Sequence, residues 1–251
     1  MTRKIMIAGN WKMNCLQKDG VELAKSIALE VKKNNFNCDF LICPPYTLLY
    51  SIKKALRGSK IALGAQDSHQ AEKGAHTGDI SPQMLKDIGC SYTIIGHSER
   101  RTDHHESDSL VAQKAQAAYA NGLKTIICVG ETLSQREEGK TLDVCAKQVR
   151  GSMPKEATAS NTIIAYEPVW AIGTGKTPTA KDVEEVHAAI RKVVAEKFGS
   201  RTANNIRILY GGSVKPSNAK EFLSLPDVDG ALIGGASLKS EDFLAIAKSV
   251  C

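Results

Sequence analysis

One short segment of this chain pairs a carboxylate at a strand end with a glycine-containing loop, which could set a general base beside a bound anion. Residues 162–166, TIIAY, are apolar, β-branched or aromatic, a composition typical of a buried strand. Glu167 follows, and Pro168 ends the strand because proline cannot donate to a sheet ladder. Residues 169–175 mix apolar side chains with two glycines. We expect a lid there, in which apolar groups exclude water and glycine N–H groups approach an anion.

Spacing excludes two nucleotide-binding interpretations of this loop. A P-loop that ends at residues 175–177 would need glycine at position 170, where the chain has Trp170. A dinucleotide fingerprint that starts at Gly173 would need glycine at position 178, where the chain has Pro178. The loop is therefore not predicted to bind a nucleotide.

Other candidate groups follow apolar runs elsewhere in the chain. They comprise an amide and a cation, an imidazole, and two sets of adjacent glycines: Asn10 and Lys12, His97, residues 211–213, and Gly234 with Gly235. Taken singly, each has a plain structural interpretation, since a lysine is commonly solvated, a histidine structural and a glycine pair part of a tight turn. Paired glycines after consecutive strands can also turn backbone N–H groups toward one anion.

The elements that must position these groups repeat along the chain. Eight strands are expected, at residues 4–9, 40–43, 61–65, 92–96, 125–129, 162–166, 206–210 and 230–233. Helices are predicted between them, the clearest near 18–33, 46–57, 107–121 and 180–198. In 251 residues this alternation predicts an α/β fold, a single (β/α)8 barrel domain over residues 1–251, with a doubly wound open sheet as the alternative. Barrel enzymes place their chemistry at the carboxyl ends of the strands, which would bring the candidate groups together.

Composition and charge narrow the classes of partner. The chain is 42% hydrophobic and 24% charged, and its apolar runs fall far short of the ~18 residues that a membrane span requires. The net charge of +6 comes from scattered cations rather than a basic block, which favours a small phosphorylated substrate over nucleic acid. The first residues lack the apolar core of a secretory leader, so we expect a cytoplasmic protein.

The cysteines and histidines give no sign of a disulfide or a metal. Seven cysteines is an odd number and no pair has C-x-x-C spacing, so we predict reduced thiols in a reducing compartment. His104, His105 and Glu106 would need a histidine at position 109 to form the helical zinc motif, but the chain has Ser109. No metal site and no cofactor are predicted. His187 lies off the apolar stripe of its helix and is expected to be solvated.

Three sequence blocks carry a family resemblance. NWKMN at 10–14, GHSERR at 96–101 and AYEPVWAIGTGKT at 165–177 resemble the triosephosphate isomerase family, and the similarity runs through nearly the whole chain. The resemblance implies a TIM barrel that interconverts dihydroxyacetone phosphate and glyceraldehyde 3-phosphate in glycolysis and gluconeogenesis, without metal or cofactor. The catalytic residues that it implies are Asn10, Lys12, His97 and Glu167. The substrate and its phosphate would be bound by Asn10, Lys12, Gly173, Ser213, Gly234 and Gly235.

The same resemblance extends to a subunit contact. In this family the loop that corresponds to residues 66–81 inserts into the partner subunit beside its active site, so we expect a homodimer, with Thr77 as a supporting residue. Within that loop His76 departs from the phenylalanine or tyrosine common in the family. Glu99 is expected to pair with Lys12. Cys15, directly after the NWKMN block, is expected at the subunit interface.

Other functions make different demands on the residues. A non-catalytic barrel that kept the fold would be expected to lack at least one of Lys12, His97 and Glu167, and all three are present. A Schiff-base aldolase would need a lysine deep in a strand, and the later strands have none. Another phosphate-handling barrel isomerase is the nearest alternative among enzymes.

Overall fold

Eight parallel strands close into a barrel in the computed structural model, which describes residues 3–172, 174 and 176–251. Each strand pairs with its sequence neighbours, and the first closes against the eighth with Met6 opposite Gly230. The predicted (β/α)8 barrel is confirmed, and the open-sheet alternative is wrong because such a sheet would leave two unpaired edges. The strands, β1 to β8, are Met6–Asn10, Asp39–Cys43, Ala62–Ala65, Tyr92–Ile95, Lys124–Val129, Thr162–Tyr166, Arg207–Tyr210 and Gly230–Ile233.

Helices cover the outside of the barrel between successive strands. Within the described residues, α1 to α11 are Gln17–Lys33, Leu49–Ala55, Pro82–Asp87, Ser98–Asp103, Asp108–Ala120, Leu133–Glu137, Thr141–Ser152, Ala180–Phe198, Ser200–Asn205, Ala219–Leu223 and Ser240–Lys248. Short 3-10 helices lie at Tyr46–Leu48, Val169–Ala171 and Gly235–Leu238. In this part of the chain, every helix is too short or too polar to cross a bilayer. The predicted helix at 46–57 divides into a 3-10 turn and α2.

Side-chain caps fix where two of the longer helices begin. Thr179 Oγ1 accepts the Asp182 N–H at 3.1 Å while the Asp182 carboxylate accepts the Thr179 N–H at 2.9 Å, a capping box that starts α8. Ser107 accepts the Leu110 N–H at 3.2 Å and starts α5. The α8 cap also sets the end of the predicted lid, because the loop cannot extend into a capped helix.

The core has two layers that follow the alternation of side chains along each strand. Met6 and Ala8 point into the barrel and pack with Leu41, whereas Ile7 points outward to the layer beneath the helices. Each fully buried aliphatic side chain contributes about 1.5–3 kcal/mol by leaving water. Since side chains fill the interior, the barrel is not a channel, and a ligand can reach only its ends.

The prediction that His187 is solvated is wrong. Its side chain is fully buried, and its ring packs edge-on against Tyr166 with 5.8 Å between centroids. Nδ1 lies 3.2 Å from the carbonyl oxygen of Asp227. The apolar stripe of α8 does not include every side chain that this helix buries, because the helix contacts α7, α9 and α10 as well as β7.

The prediction that every cysteine is reduced is also wrong. Cys38, directly before β2, forms a disulfide with Cys251 at the end of the chain, and their Cα atoms are 5.6 Å apart. The chain beyond α11 returns to the start of β2, which is the end of the barrel opposite the carboxyl ends of the strands. Local spacing could not reveal this pair because 213 positions separate the two residues. The free cysteines are Cys15, Cys43, Cys90, Cys128 and Cys145.

Candidate active site

One cleft at the carboxyl ends of the strands holds most of the candidate groups. Its volume is about 810 Å³, which is within the usual range for small-molecule sites. The predicted residues that line it are Asn10, Lys12, His97, Glu167, Ser213, Gly234 and Gly235. They come from the ends of β1, β4, β6, β7 and β8, so closure of the barrel, not proximity along the chain, brings them together.

Glu167 is a buried carboxylate held by two donors. Only 2% of the residue is exposed. Its Oε2 accepts the Ser98 backbone N–H at 2.9 Å, and its Oε1 lies 2.9 Å from His97 Nε2. Burial raises the pKa of this carboxyl, but His97, the Ser98 N–H and Lys12 outweigh the burial and the net pKa is lowered. The group is therefore ionised at neutral pH, as a general base must be.

His97 caps the N-terminus of α4 and faces the same carboxylate. Its Nδ1 accepts the Glu99 backbone N–H at 3.2 Å, which requires an unprotonated nitrogen. This contact places the proton of a neutral ring on Nε2, the nitrogen that faces Glu167. Burial lowers the pKa of His97, while the carboxylates of Glu167 and Glu99 raise it, and the net direction is upward.

Lys12 has a strained backbone that two side chains hold in place. Its φ of 52° lies in a region that non-glycine residues seldom occupy. The Asn10 side chain accepts the Lys12 N–H at 3.0 Å, and Gln66 Nε2 donates to the Lys12 carbonyl at 2.8 Å. The ammonium pairs with the Glu99 carboxylate, as the sequence led us to expect. Such strain persists where the surroundings over-determine the geometry, which is common at functional sites.

Backbone donors line the side of the cleft formed by the loops after β7 and β8. Among the residues that the structure describes, no acceptor bonds to the backbone N–H groups of Ser213, Gly234 and Gly235. Gly235 begins a 3-10 helix, whose first N–H groups have no partner inside the helix. A Cβ placed on Gly234 would lie 3.5 Å from Lys12 Cε, so the cation is adjacent. Free N–H groups beside an ammonium form a site for an anion.

The start of the predicted lid is anchored by a buried carboxylate. Trp170 Nε1 donates to Glu131 Oε1 at 2.8 Å, and the Tyr166 hydroxyl donates to the same oxygen at 3.2 Å. Arg136 lies over the Trp170 ring, 4.5 Å from its centroid. Ile172 reaches the cleft lining.

Three predicted site residues are not among the described residues that line the cleft. Glu99 contacts it through its ion pair with Lys12. Thr77 is exposed on the loop at 66–81 and does not line the cleft of its own chain, so its supporting role concerns a second copy and stays a prediction. Gly173 lies outside the described residues, and its phosphate contact likewise stays a prediction. Pro178, at the far end of the lid, is buried.

The sequence reasoning missed three groups that position the site. Gln66 directly follows β3 and Glu131 follows β5, so a systematic reading of every strand end would have found both. Ser98 acts through its backbone N–H, for which the side-chain type gives no signal.

The fold and the cleft define a class, the (β/α)8-barrel enzymes that act on small anionic substrates at the carboxyl ends of their strands. Comparison with known proteins gives the family. The sequence model described as "Triosephosphate isomerase" matches residues 5–250. The chain therefore belongs to the triosephosphate isomerase family and is an isomerase.

Individual relatives agree over the full length. The chain is 53% identical to the triosephosphate isomerase of Xanthobacter flavus over 248 residues, which cover 99% of this chain and 98% of the relative. It is 56% identical to that of Rhodopseudomonas palustris over 250 residues, with 97% and 96% covered. The crystal structure of triosephosphate isomerase from Bartonella henselae superposes with a TM-score of 0.91 at 50% identity, covering 98% of each chain.

Proposed function

We propose that this isomerase interconverts dihydroxyacetone phosphate and glyceraldehyde 3-phosphate through an enediolate, with Glu167 as the base that moves the proton. The observation that carries the proposal is the convergence of the Glu167 carboxylate, the His97 imidazole and the Lys12 ammonium on one cleft. Glu167 Oε1 and His97 Nε2 are already 2.9 Å apart.

The reaction moves a carbonyl to the adjacent carbon. A proton must leave the carbon beside the carbonyl and return to the other carbon, and one carboxylate placed over both carbons can perform both transfers. Glu167 suits this task because its lowered pKa keeps it ionised and the Ser98 N–H fixes its position. Pre-positioning of this kind lowers the barrier by removing the need to orient the base during the reaction.

The enediolate needs donors at both of its oxygens. His97 offers its Nε2–H, since its Nδ1 accepts the Glu99 N–H. This contact favours the neutral imidazole and opposes the neighbouring carboxylates, which raise the pKa of the ring. The Lys12 ammonium stabilises the developing negative charge, and Asn10 orients Lys12 through their hydrogen bond of 3.0 Å. Substrate would draw Lys12 away from Glu99, which pairs with it in the free protein.

The phosphate binds at the opposite side of the cleft. The unpaired N–H groups of Ser213, Gly234 and Gly235 favour this position, and we extend the contact to Gly173 in the lid. Closure of residues 168–178 would exclude water from the enediolate and disfavour loss of phosphate.

We further propose one domain, a homodimer and a cytoplasmic location. The closed strand order supports a single domain over residues 1–251. The loop at 66–81 supports the dimer, because its Thr77 is exposed and does not line the cleft of its own chain. The proposed glycolytic reaction supports the cytoplasm.

A coupled isomerase assay on the purified protein tests the reaction, and two variants test the roles. Glu167→Asp withdraws the carboxylate by one methylene, and we expect kcat to fall by about 100-fold or more with little change in KM. Lys12→Met should abolish most activity through loss of the cation. His104→Gln, an exposed histidine outside the cleft, is the control and should keep full activity.

Unchanged turnover in Glu167→Asp would remove this residue from the role of base. Borohydride treatment with substrate gives a separate check. Trapping of a covalent adduct would favour a Schiff-base aldolase over the isomerase mechanism proposed here.

A further inference from the structure

A buried serine lies directly behind the glycines at which we place the substrate phosphate. Ser237 is fully buried, whereas Gly234 and Gly235 line the cleft. The Ser237 hydroxyl donates to the Gly234 carbonyl at 2.6 Å, and the Ser237 backbone N–H donates to the same oxygen at 2.8 Å. One carbonyl is therefore held by two donors, and both come from a residue that does not itself line the cleft.

We propose that Ser237 is a positioning residue for the phosphate, an inference that rests on the proposed function. The carbonyl of Gly234 and the N–H of Gly235 belong to one peptide unit, which is trans. Because a trans peptide is planar, its C=O and N–H point in opposite directions. A carbonyl held toward the buried Ser237 therefore turns the Gly235 N–H away from the protein interior and toward the cleft.

The Gly235 N–H is free to bind an anion. Over the described part of the chain, no carbonyl or side chain accepts it. Without the two bonds from Ser237, the peptide between Gly234 and Gly235 could rotate and turn this N–H to other directions. A donor that is fixed before the ligand arrives removes an ordering cost from binding.

The first strand holds the serine in place. A Cβ on Gly9, in β1, would lie 3.0 Å from Ser237 Cβ and 3.4 Å from Ser237 Oγ, so a larger residue at position 9 would push the serine. Asn10 follows Gly9 directly and accepts the Lys12 N–H. Ser237 therefore links the loop with the phosphate donors to the strand that leads to the cation.

The chain contains a matched example of the same bonds at a distance from the phosphate donors. Ser249 directly follows α11, and its hydroxyl donates to the Ile246 carbonyl at 2.7 Å. Its backbone N–H lies 3.2 Å from the same oxygen. Ser249 does not line the cleft, and neither does Ile246. If these bonds only stabilised the fold, the two serines would be equivalent, whereas the proposal predicts that Ser237 alone affects phosphate binding.

Calorimetric titration of the full-length protein with glycerol 3-phosphate, which carries the phosphate but no carbonyl, measures this binding without turnover. One hydrogen bond changes an equilibrium constant by a factor of about 2 to 12, so Ser237→Ala should weaken binding by about that factor. In the coupled assay, KM should rise by a similar factor and kcat should change little, because phosphate binding is common to the ground and transition states. Ser249→Ala, the matched control, should behave as the parent in both measurements.

A second variant, Ser237→Cys, fills the space of the serine side chain but donates only weakly. Agreement between the two variants would assign the effect to the lost donor and not to lost packing, and Ser237→Cys decides the test if Ser237→Ala fails to fold. Thermal unfolding identifies the folded variants.

Three results would each overturn the proposal: unchanged affinity in a folded Ser237 variant, a fall in kcat at constant KM, or an equal loss of affinity in Ser249→Ala. Failure of the parent to interconvert the triose phosphates would instead refute the proposed reaction. The two failures are distinguishable because the titration does not depend on turnover.

Discussion

Replacing Gly211 by alanine would test whether the position of the Glu167 carboxylate sets the rate. Gly211 follows β7 and lies beside the candidate base. A Cβ at this position would sit 2.8 Å from Glu167 Cγ and 3.1 Å from the Tyr166 carbonyl oxygen. Ordinary van der Waals contact begins at 3.4 Å, so the Glu167 side chain must move by about 0.6 Å. The backbone of Gly211 does not adopt a positive φ, so alanine adds a collision and no backbone strain.

The size of the effect follows from that displacement. A misplacement of 1 Å at a reacting group can cost about 100-fold in rate, so 0.6 Å scales to about 15-fold in kcat. This loss corresponds to about 1.6 kcal/mol of activation free energy. KM should change little, because the displaced group acts on the reacting carbon and not on the phosphate.

The assay is steady-state turnover of Gly211→Ala, with thermal unfolding measured in parallel. Gly151→Ala is the matched control, since its Cβ would meet Asp108 Cβ at 2.7 Å, a similar collision on α7 away from the cleft. We expect the control to keep its kcat. A Gly211→Ala enzyme that folds and turns over at the parent rate would show that the carboxylate tolerates this shift, which would contradict the proposed geometry.

Three further predictions concern ionisation and the disulfide. Because the pKa of Glu167 is lowered, the apparent pKa of the acid limb of kcat/KM, corrected for ionisation of the substrate phosphate, should lie below the ordinary glutamate value of 4.5. An apparent pKa above that value would assign the base elsewhere. Burial lowers the pKa of His187 from 6.5 to about 4, so between these pH values the unfolded chain binds more protons than the folded one. The free energy of unfolding should therefore fall by about 3 kcal/mol from pH 7 to pH 4. In denaturant titrations, His187→Gln should flatten this slope. Cys251→Ser removes a disulfide that links residues 213 positions apart, and chain entropy sets an upper estimate of about 5 kcal/mol for the resulting loss in free energy of unfolding. If the variant and the parent had the same unfolding midpoint under non-reducing conditions, the bond would add no stability.

Part of the candidate site could be predicted from the residues at the ends of the strands. Asn10, His97 and Glu167 were predicted at strand ends, and the structure brings all three to one cleft. Their catalytic roles stay predictions. The support of Glu167 by the Ser98 N–H was not predictable, because a backbone donor leaves no trace in residue type.

The errors have a common physical origin. Helical periodicity describes one face of α8, but three neighbouring helices and a strand cover it, so His187 is buried. Cysteine spacing describes local pairs, but Cys38 and Cys251 meet because α11 ends beside the start of β2. In both cases the deciding contact joins residues that are far apart in the chain.

The sequence by itself determined the order of strands and helices and the residue types available at each strand end. Those features depend on periodicity and on contacts within a few residues, which local sequence encodes. Only the tertiary structure decided the distances among Glu167, His97 and Lys12 in their cleft, the burial of His187, and the contact of Cys38 with Cys251. Closure of β1 against β8 sets distances between residues such as Met6 and Gly230, which are 224 positions apart, and no local pattern contains those distances.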